Sequence, residues 1–180
     1  KAASSKVAAV PALVETTPAG SYGDAADDPA IWAHPTNPAL SLVIATDKKA
    51  GIYVYDMQGK VVQFLPDGKM NNVDLREGFD LDGKKIVLVT ASNRTDKSIA
   101  IYRLDPELRQ LINVADGVQP TGLGDPYGLC MYRSAEDGRT FVFINGDDTR
   151  QRQWELVDSG NGKVSAKQLR DMTFDSQTEG

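Results

Sequence analysis

Residues 86–102 read IVLVTASNRTDKSIAIY, and this stretch contains the unit from which the fold can be inferred. Residues 86–90 and 99–102 are short apolar runs rich in β-branched side chains, a composition typical of buried strands. The residues between these runs are polar and include Asn93 and Arg94. The stretch therefore predicts two buried strands joined by a polar, basic loop.

The same strand–loop–strand pattern recurs at a spacing of about 50 residues, which is the period of kelch-like propeller repeats. The first strands of the copies are residues 42–46, 86–90 and 141–144, and the second strands are residues 52–55, 99–102 and 153–156. A further strand precedes each copy, at 30–32, 73–75 and 127–132, and a fourth follows the first and last copies, at 61–64 and 163–166. Four antiparallel strands form one blade of a β-propeller. We predict an all-β propeller fold with about three blades of four antiparallel strands present.

Composition argues against several classes of function. The formal net charge of the 180 residues is −5, and no basic stripe with interleaved aromatic residues occurs, so nucleic acid is not an expected partner. No apolar run approaches the roughly 20 residues that span a bilayer, so no membrane partner is expected. Cys130 is the only cysteine, which excludes an intrachain disulfide, and its apolar strand predicts a core position.

The polar segments of the repeat are expected to meet at one end of the blades. In a four-stranded meander, the start of the first strand and the loop between the second and third strands lie at the same end. The polar strand starts are residues 27–28, 71–72, 125–127 and 177–179, and the loops carry Lys48, Lys49, Arg94 and Arg150. Acids and amides surrounded by cations can bind metal ions and then a highly anionic ligand, and clustered oxygen donors suit calcium. Residues 24–32, DAADDPAIW, provide the densest group of acids, for which a plain acidic turn is the alternative interpretation.

Several motifs resemble those of the β-propeller phytases, calcium-dependent bacterial phosphatases that hydrolyse phytate. The motifs are DAADDPAIW at 24–32, NNVDLR at 71–76, ASNR at 91–94 and SQTEG at 176–180. The resemblance begins at about Gly23, so residues 1–22 are interpreted as an N-terminal tail or leading strand and residues 23–180 as a partial phytase-like propeller domain. The family fold has six blades, so the chain resembles its N-terminal half, or the incomplete first domain of a tandem pair.

The resemblance also implies what surrounds such a domain. Three blades would leave an open flank, which we expect the remaining propeller half or a second phytase domain to cover. Phytate or other inositol phosphates are the implied ligands, several calcium ions are the implied cofactors, and a secreted or periplasmic location is the implied destination.

The resemblance assigns roles to individual positions. Lys48, Lys49 and Arg94 resemble the phosphate-holding cations, with catalytic and substrate-binding roles, and Tyr127 resembles a tyrosine lining the metal and phosphate site. The implied calcium ligands are Asp27 and Glu179 for the catalytic ions, Asp28 with the carbonyls of Pro29 and Val73 for a structural ion, and Asn72 or Asn71.

The chain departs from the family pattern in the third blade, where Asp147-Asp148 occupies the place of a Lys-Glu pair. Arg150 or Arg152 is the candidate substitute for the missing cation. The implied mechanism is metal-assisted hydrolysis without a protein nucleophile. This agrees with the sequence, because His34, the only histidine, lies in a His-Pro turn.

Three interpretations remain open at this point. The chain contributes the N-terminal half of an active phytase site. Alternatively, it is an incomplete, non-catalytic domain that binds calcium or a phosphorylated ligand and assists a complete catalytic domain. A third possibility is a propeller fragment that serves protein contacts, with acids that are structural only.

Overall fold

The structure, a computed structural model, describes residues 10–178, and this part of the chain forms three four-stranded antiparallel sheets. The first sheet contains β1 (Ala26–Trp32), β2 (Leu42–Asp47), β3 (Gly51–Asp56) and β4 (Val61–Leu65). The second contains β5 (Met70–Leu81), β6 (Lys84–Asn93), β7 (Ser98–Asp105) and β8 (Gln110–Asn113). The third contains β9 (Pro126–Arg133), β10 (Thr140–Gly146), β11 (Arg150–Gly160) and β12 (Lys163–Thr173). Consecutive strands are neighbours in every sheet, so the predicted all-β architecture of four-stranded blades is confirmed.

The described residues contain no α-helix, and one 3-10 helix spans Pro38–Leu40. No helix within residues 10–178 is long and apolar enough to cross a bilayer. The strand β8 was not predicted, because it has four residues of which only Leu111 is fully buried.

The core lies in two layers, one on each face of the middle sheet. Val89 and Tyr102 face the first sheet, whereas Leu88 and Ile101 face the third. Since neighbouring residues of β6 and β7 point to opposite faces and both faces are covered, the central residues 86–89 of β6 and 99–102 of β7 are apolar or aromatic at every position. This arrangement explains the continuous apolar runs in the sequence.

The predicted core position of Cys130 is wrong, because Cys130 is exposed. In β9, Leu129 and Met131 pack against the second sheet, so Cys130 and Tyr132 point to the other face. Within the described residues, no further sheet lies against that face. An apolar strand alone does not tell which of its faces is covered.

The segment before β1 packs along the first sheet without forming a strand between residues 10 and 25. Thr17 N donates to Gly59 O at 2.7 Å, and Gly20 N donates to the Tyr53 hydroxyl at 2.9 Å. Gly59 has φ +76°, and a Cβ there would lie 2.1 Å from Glu15 O, so this contact requires glycine. The described part of the segment interpreted from sequence as a tail or leading strand is therefore not a strand, but it is attached to β3 and to the β3–β4 turn.

We call β1, β5 and β9, the first strand of each sheet, the inner strands. Aspartate carboxylates join the inner strands of consecutive sheets. Asp28 Oδ2 accepts a hydrogen bond from Val73 N at 3.0 Å, which links β1 to β5. Asp74 Oδ2 accepts one from Met131 N at 2.8 Å, which links β5 to β9, while Asp74 Oδ1 contacts Arg76 at 2.7 Å. The polar residues of the inner strands thus connect the blades.

Candidate functional site

Strand pairing places three of the four predicted polar strand starts, 27–28, 71–72 and 125–127, at the same ends of their sheets as the predicted polar loops. Ala26 pairs with Asp47, which pairs with Gly51, and Met70 pairs with Asn93, which pairs with Ser98. In the third sheet, Pro126 pairs with Gly146. We call this end the rim, and it comprises residues 24–28, 47–51, 67–72, 93–98, 125–128 and 146–150.

Each inner strand contains a one-residue insertion at the rim. From one paired residue to the next, each inner strand advances by three residues, whereas the strand it pairs with advances by two. These steps run from 26 to 29, from 70 to 73 and from 126 to 129. Residues 27–28, 71–72 and 127–128 therefore form bulges opposite Thr46, Ser92 and Asn145. Bulges redirect side chains and are frequent beside functional sites. The candidate metal ligands Asp27, Asp28, Asn71 and Asn72 lie in these bulges, and so does Tyr127, the candidate lining residue.

Two hydroxyl groups hold the bulges of neighbouring blades together. Thr46 Oγ1 accepts from Asp28 N at 3.0 Å and donates to Asn71 O at 2.6 Å. Ser92 Oγ accepts from Asn72 N at 3.0 Å and donates to Tyr127 O at 2.7 Å. We call these groups the bridging hydroxyls. Both residues are buried, so their hydrogen bonds fix the relative positions of the three bulges.

A cleft of about 370 Å³ opens at the rim between the first and second sheets. It is lined by Asp24, Lys48, Lys49, Lys69, Arg94 and Asp125, and we call it the basic cleft. Lys69 was not identified from the sequence.

Two cations of the basic cleft are paired with carboxylates. Lys48 Nζ lies 2.8 Å from Asp24 Oδ2 and 3.5 Å from Asp27 Oδ1. The hydrogen bond to Asp24 raises the pKa of Lys48, and the same contact lowers the pKa of Asp24. Arg94 Nε lies 3.0 Å from both oxygens of Asp125, and its second nitrogen also contacts that carboxylate.

The Arg94 guanidinium is held from two sides. The hydrogen bonds to Asp125 raise the pKa of Arg94. The guanidinium carbon also lies 5.6 Å from the centre of the Tyr127 ring, within the range of a cation–π contact. Lys49 Nζ donates to Tyr22 O, which ties it to the segment before β1. The cleft therefore presents cations in defined positions.

A family model described as Phytase matches residues 1–180 of this chain. The chain belongs to the phytase family. A 3-phytase of Bacillus subtilis (strain 168) is 41% identical over 175 residues, which is 95% of this chain and 46% of that protein. The chain thus spans about half the length of the curated relative it matches.

A solved structure, that of BBS1N in complex with ARL6DN soaked with mercury, matches with a TM-score of 0.45 and 14% identity. The match covers 76% of this chain and 38% of that chain. A likeness at this level supports no conclusion about the function of a phytase-family chain.

Hydrogen bonds join the candidate metal ligands in two pairs. Asp28 was predicted to bind a metal together with the carbonyls of Pro29 and Val73. In the structure, Asp28 accepts a hydrogen bond from the backbone nitrogen of Val73. Asn72 Oδ1 accepts from Asn71 Nδ2 at 2.6 Å. Asn71 is 3% exposed, whereas Asn72 is half-buried, so Asn72 is the more accessible of the two amides. Glu179 lies outside the described residues.

Arg150 lies at the rim of the third blade but not in the lining of the basic cleft. Its Nε contacts Asp148 Oδ2 at 2.9 Å, and its backbone N donates to Asp148 Oδ1 at 2.8 Å. Arg152 contacts Asp171 at 2.8 Å and donates to Thr121 O, which directs it towards the junction with the linker after β8. Neither arginine therefore lines the basic cleft with Lys48 and Arg94.

The donor set at the rim is chemically suited to calcium, since it consists of carboxylate, amide and carbonyl oxygens. Asp47, also at the rim, is fully buried, and its Oδ2 has no hydrogen-bond partner among residues 10–178. Such an oxygen is costly unless a cation or donor approaches it. Within the same residues, no three acidic, histidine or cysteine side chains form a group that could hold a metal. The described part thus offers oxygen donors of the kind that calcium prefers.

Proposed function

We propose that this phytase-family chain supplies the N-terminal half of a site for calcium-dependent hydrolysis of phosphate monoesters, with phytate as substrate. The observation that carries the proposal is the basic cleft, in which four cationic residues line one space beside the oxygen-rich bulges. A ligand with several phosphate groups matches such a cleft, because each phosphate can engage a different cation. Export to the periplasm or the medium belongs to the same proposal and is supported by family membership.

The metal ligands in this proposal are Asp27, Asp28 and Asn72, with the carbonyls of Pro29 and Val73 and with Glu179. These residues would hold calcium, and the chemistry supplied by the bound ion would be charge neutralisation of phosphate oxygens and a lowered pKa of coordinated water. The chain's own part is to bind and orient the phosphate. Lys48, Lys49 and Arg94 stabilise negative charge on the phosphoryl group, and Arg94 has the geometry for bidentate contacts.

Asp125 and Tyr127 restrict the position of Arg94 before a ligand arrives. A preorganised cation stabilises developing charge without reorganising during the reaction. Asp125 engages Nε and one terminal nitrogen of Arg94, so phosphate binds the remaining N–H groups while Asp125 keeps the guanidinium in place. Arg150 is a weaker candidate for a phosphate contact, because it does not line the basic cleft.

The second candidate function is a non-catalytic domain that binds calcium or phosphorylated ligands and assists a complete catalytic domain. One observation favours it: Asp147-Asp148 takes the place at which the resemblance calls for a cation-containing pair.

Phosphate release from phytate in the presence of calcium separates these functions. We expect the 180-residue chain alone to release little or no phosphate, and calorimetry to detect binding of calcium and phytate. If release appears only when a complementary propeller half is added, the chain supplies half of the site. If it stays absent while addition of the chain accelerates a complete phytase domain, the assisting role is supported. A chain that binds neither calcium at millimolar concentration nor phytate contradicts both functions and supports a protein-contact role.

A further inference from the structure

We propose that Lys69 is a phosphate-binding residue of the basic cleft and acts beside Arg94. This inference rests on the proposed function and adds a residue that neither the repeat pattern nor the motifs indicated. Lys69 lines the cleft together with Lys48, Lys49 and Arg94. Its side chain is exposed and makes no salt bridge within residues 10–178. By contrast, Asp24 and Asp125 neutralise Lys48 and Arg94, so Lys69 contributes uncompensated positive charge.

The backbone of Lys69 is joined directly to the loop that carries Arg94. Arg94 N donates to Lys69 O at 2.8 Å, and Lys69 N donates to Thr95 Oγ1 at 2.8 Å. These bonds extend the pairing of β5 with β6 by one residue beyond Met70 and Asn93. Lys69 and Arg94 are therefore neighbours across two strands, at a fixed separation set by main-chain hydrogen bonds.

The turn before Lys69 is supported from its other side. Asn93 Nδ2 donates to Asp67 O at 3.0 Å, and the buried Tyr102 hydroxyl donates to Asp67 Oδ2 at 2.8 Å. Gly68 has φ +121°, and a Cβ there would lie 2.8 Å from Asn93 Oδ1, so only glycine allows this approach. A lysine that is merely exposed to solvent does not require a turn fixed by these contacts. A lysine that binds a phosphate group at a defined position does require a fixed backbone.

The chemistry that Lys69 would recognise is an anion larger than one phosphate group. Arg94 and Lys69 occupy adjacent positions, while Lys48 and Lys49 line the same cleft from the first sheet. A ligand with phosphates on neighbouring carbons can contact both sides at once. We assign Lys69 to binding such a second phosphate, as a point charge with three donors.

The test is calorimetric titration of the chain with phytate in calcium-containing buffer, comparing Lys69→Gln with Lys84→Gln. Lys84 is also exposed and makes no salt bridge within the described residues, but it lies at the opposite end of β6. We expect Lys69→Gln to weaken phytate binding about three- to tenfold relative to Lys84→Gln, as for one partly exposed charged contact. Lys69→Arg should restore most of the affinity, since it retains the charge.

A second pair of variants tests the positioning of Lys69. Thr95→Val removes the acceptor for Lys69 N, whereas Thr95→Ser retains it. We expect the valine variant alone to bind phytate more weakly. Equal affinities of Lys69→Gln and Lys84→Gln, with wild-type binding intact, would overturn the assignment of Lys69 and leave the proposed function standing. Absence of phytate binding by the wild-type chain would overturn both.

Discussion

At the scale of single residues, the basic cleft depends on a few charges whose positions are set by their carboxylate partners. Arg94 offers the clearest test, because the chain contains a matched control. Arg103 is also bound to an aspartate, Asp105, at 3.2 Å, and the side chains of Arg94 and Arg103 are 31% and 34% exposed. Arg103 lies five residues beyond Ser98, the rim residue of β7, so it is remote from the cleft.

We predict that Arg94→Ala weakens binding of phytate in calcium-containing buffer by at least about tenfold, because a charge-assisted contact is lost. Arg103→Ala should leave the dissociation constant unchanged. Calorimetry measures both, with circular dichroism to confirm folding. Equal losses in the two variants would exclude a specific role for Arg94.

A second residue-scale prediction concerns Tyr55, a buried residue of β3. Burial, with smaller contributions from Tyr53 and Asp47, raises the pKa of Tyr55 to about 12. The unfolded chain therefore loses this proton at lower pH than the folded chain. The contribution of protonated Tyr55 to the free energy of unfolding is complete below pH about 10 and is lost as the pH rises towards 12. The free energy of unfolding then falls by at most about 1.4 kcal/mol per pH unit.

Urea unfolding at several alkaline pH values measures this effect. We expect the free energy of unfolding to fall less steeply in Tyr55→Phe than in the wild-type protein. Parallel pH profiles would show that Tyr55 ionises normally in the folded state.

The residue scale also shows what the sequence could and could not indicate. Lys48, Lys49 and Arg94 were identifiable because they follow buried strands in a repeated pattern. Lys69 was not, since a lysine after an Asp-Gly turn is ordinary and its neighbour Arg94 becomes evident only from strand register. Cys130 was misplaced because burial of β9 depends on which face another sheet covers.

At the scale of elements, the strands were predictable and the bulges were not. A bulge adds one residue without changing the apolar periodicity of the strand that follows it. The sequence therefore predicted strands that begin at residues 30 and 73, whereas the observed strands begin earlier in the chain, at Ala26 and Met70. The same bulges carry the candidate ligands, so the part of each element that matters most for the site was the least visible.

The start of β3 provides an element-scale prediction. A Cβ on Gly51 would lie 1.9 Å from Leu65 O in the adjacent strand, so backbone would have to move. We predict that Gly51→Ala lowers the free energy of unfolding by about 1–3 kcal/mol or more, as overpacking does. Gly124→Ala is the control, because its Cβ would meet only Asp147 Oδ1 at an ordinary 3.7 Å. Similar stabilities of these variants by urea unfolding would refute the close approach.

At the scale of the whole molecule, three blades of similar design are joined by hydrogen bonds near the rim. The number and type of blades followed from the repeat, because strand length and spacing are encoded locally. The bridging hydroxyls did not follow, since Thr46 and Ser92 look like ordinary strand residues. Their role depends on contacts between blades that lie far apart in sequence.

We predict that Thr46→Val lowers the free energy of unfolding by about 1–3 kcal/mol, because Asp28 N and Asn71 O lose a buried partner. Thr46→Ser retains the hydroxyl and should remain within about 1 kcal/mol of the wild-type protein. Hydrogen exchange provides a second measurement, with faster exchange expected at the Asp28 amide in the valine variant only. Identical exchange in the two variants would remove the bridging role.

The identical bulges also determine where the protein tolerates changes in length. Each inserted residue sits beside the rim, whereas the turns at the other end of the sheets, such as Asp82-Gly83, connect strands whose register is already fixed by pairing. A reporter peptide spliced into that turn would leave the spacing of the cationic and oxygen donors intact. We therefore expect the turn end of the blades to accept added sequence more readily than the rim.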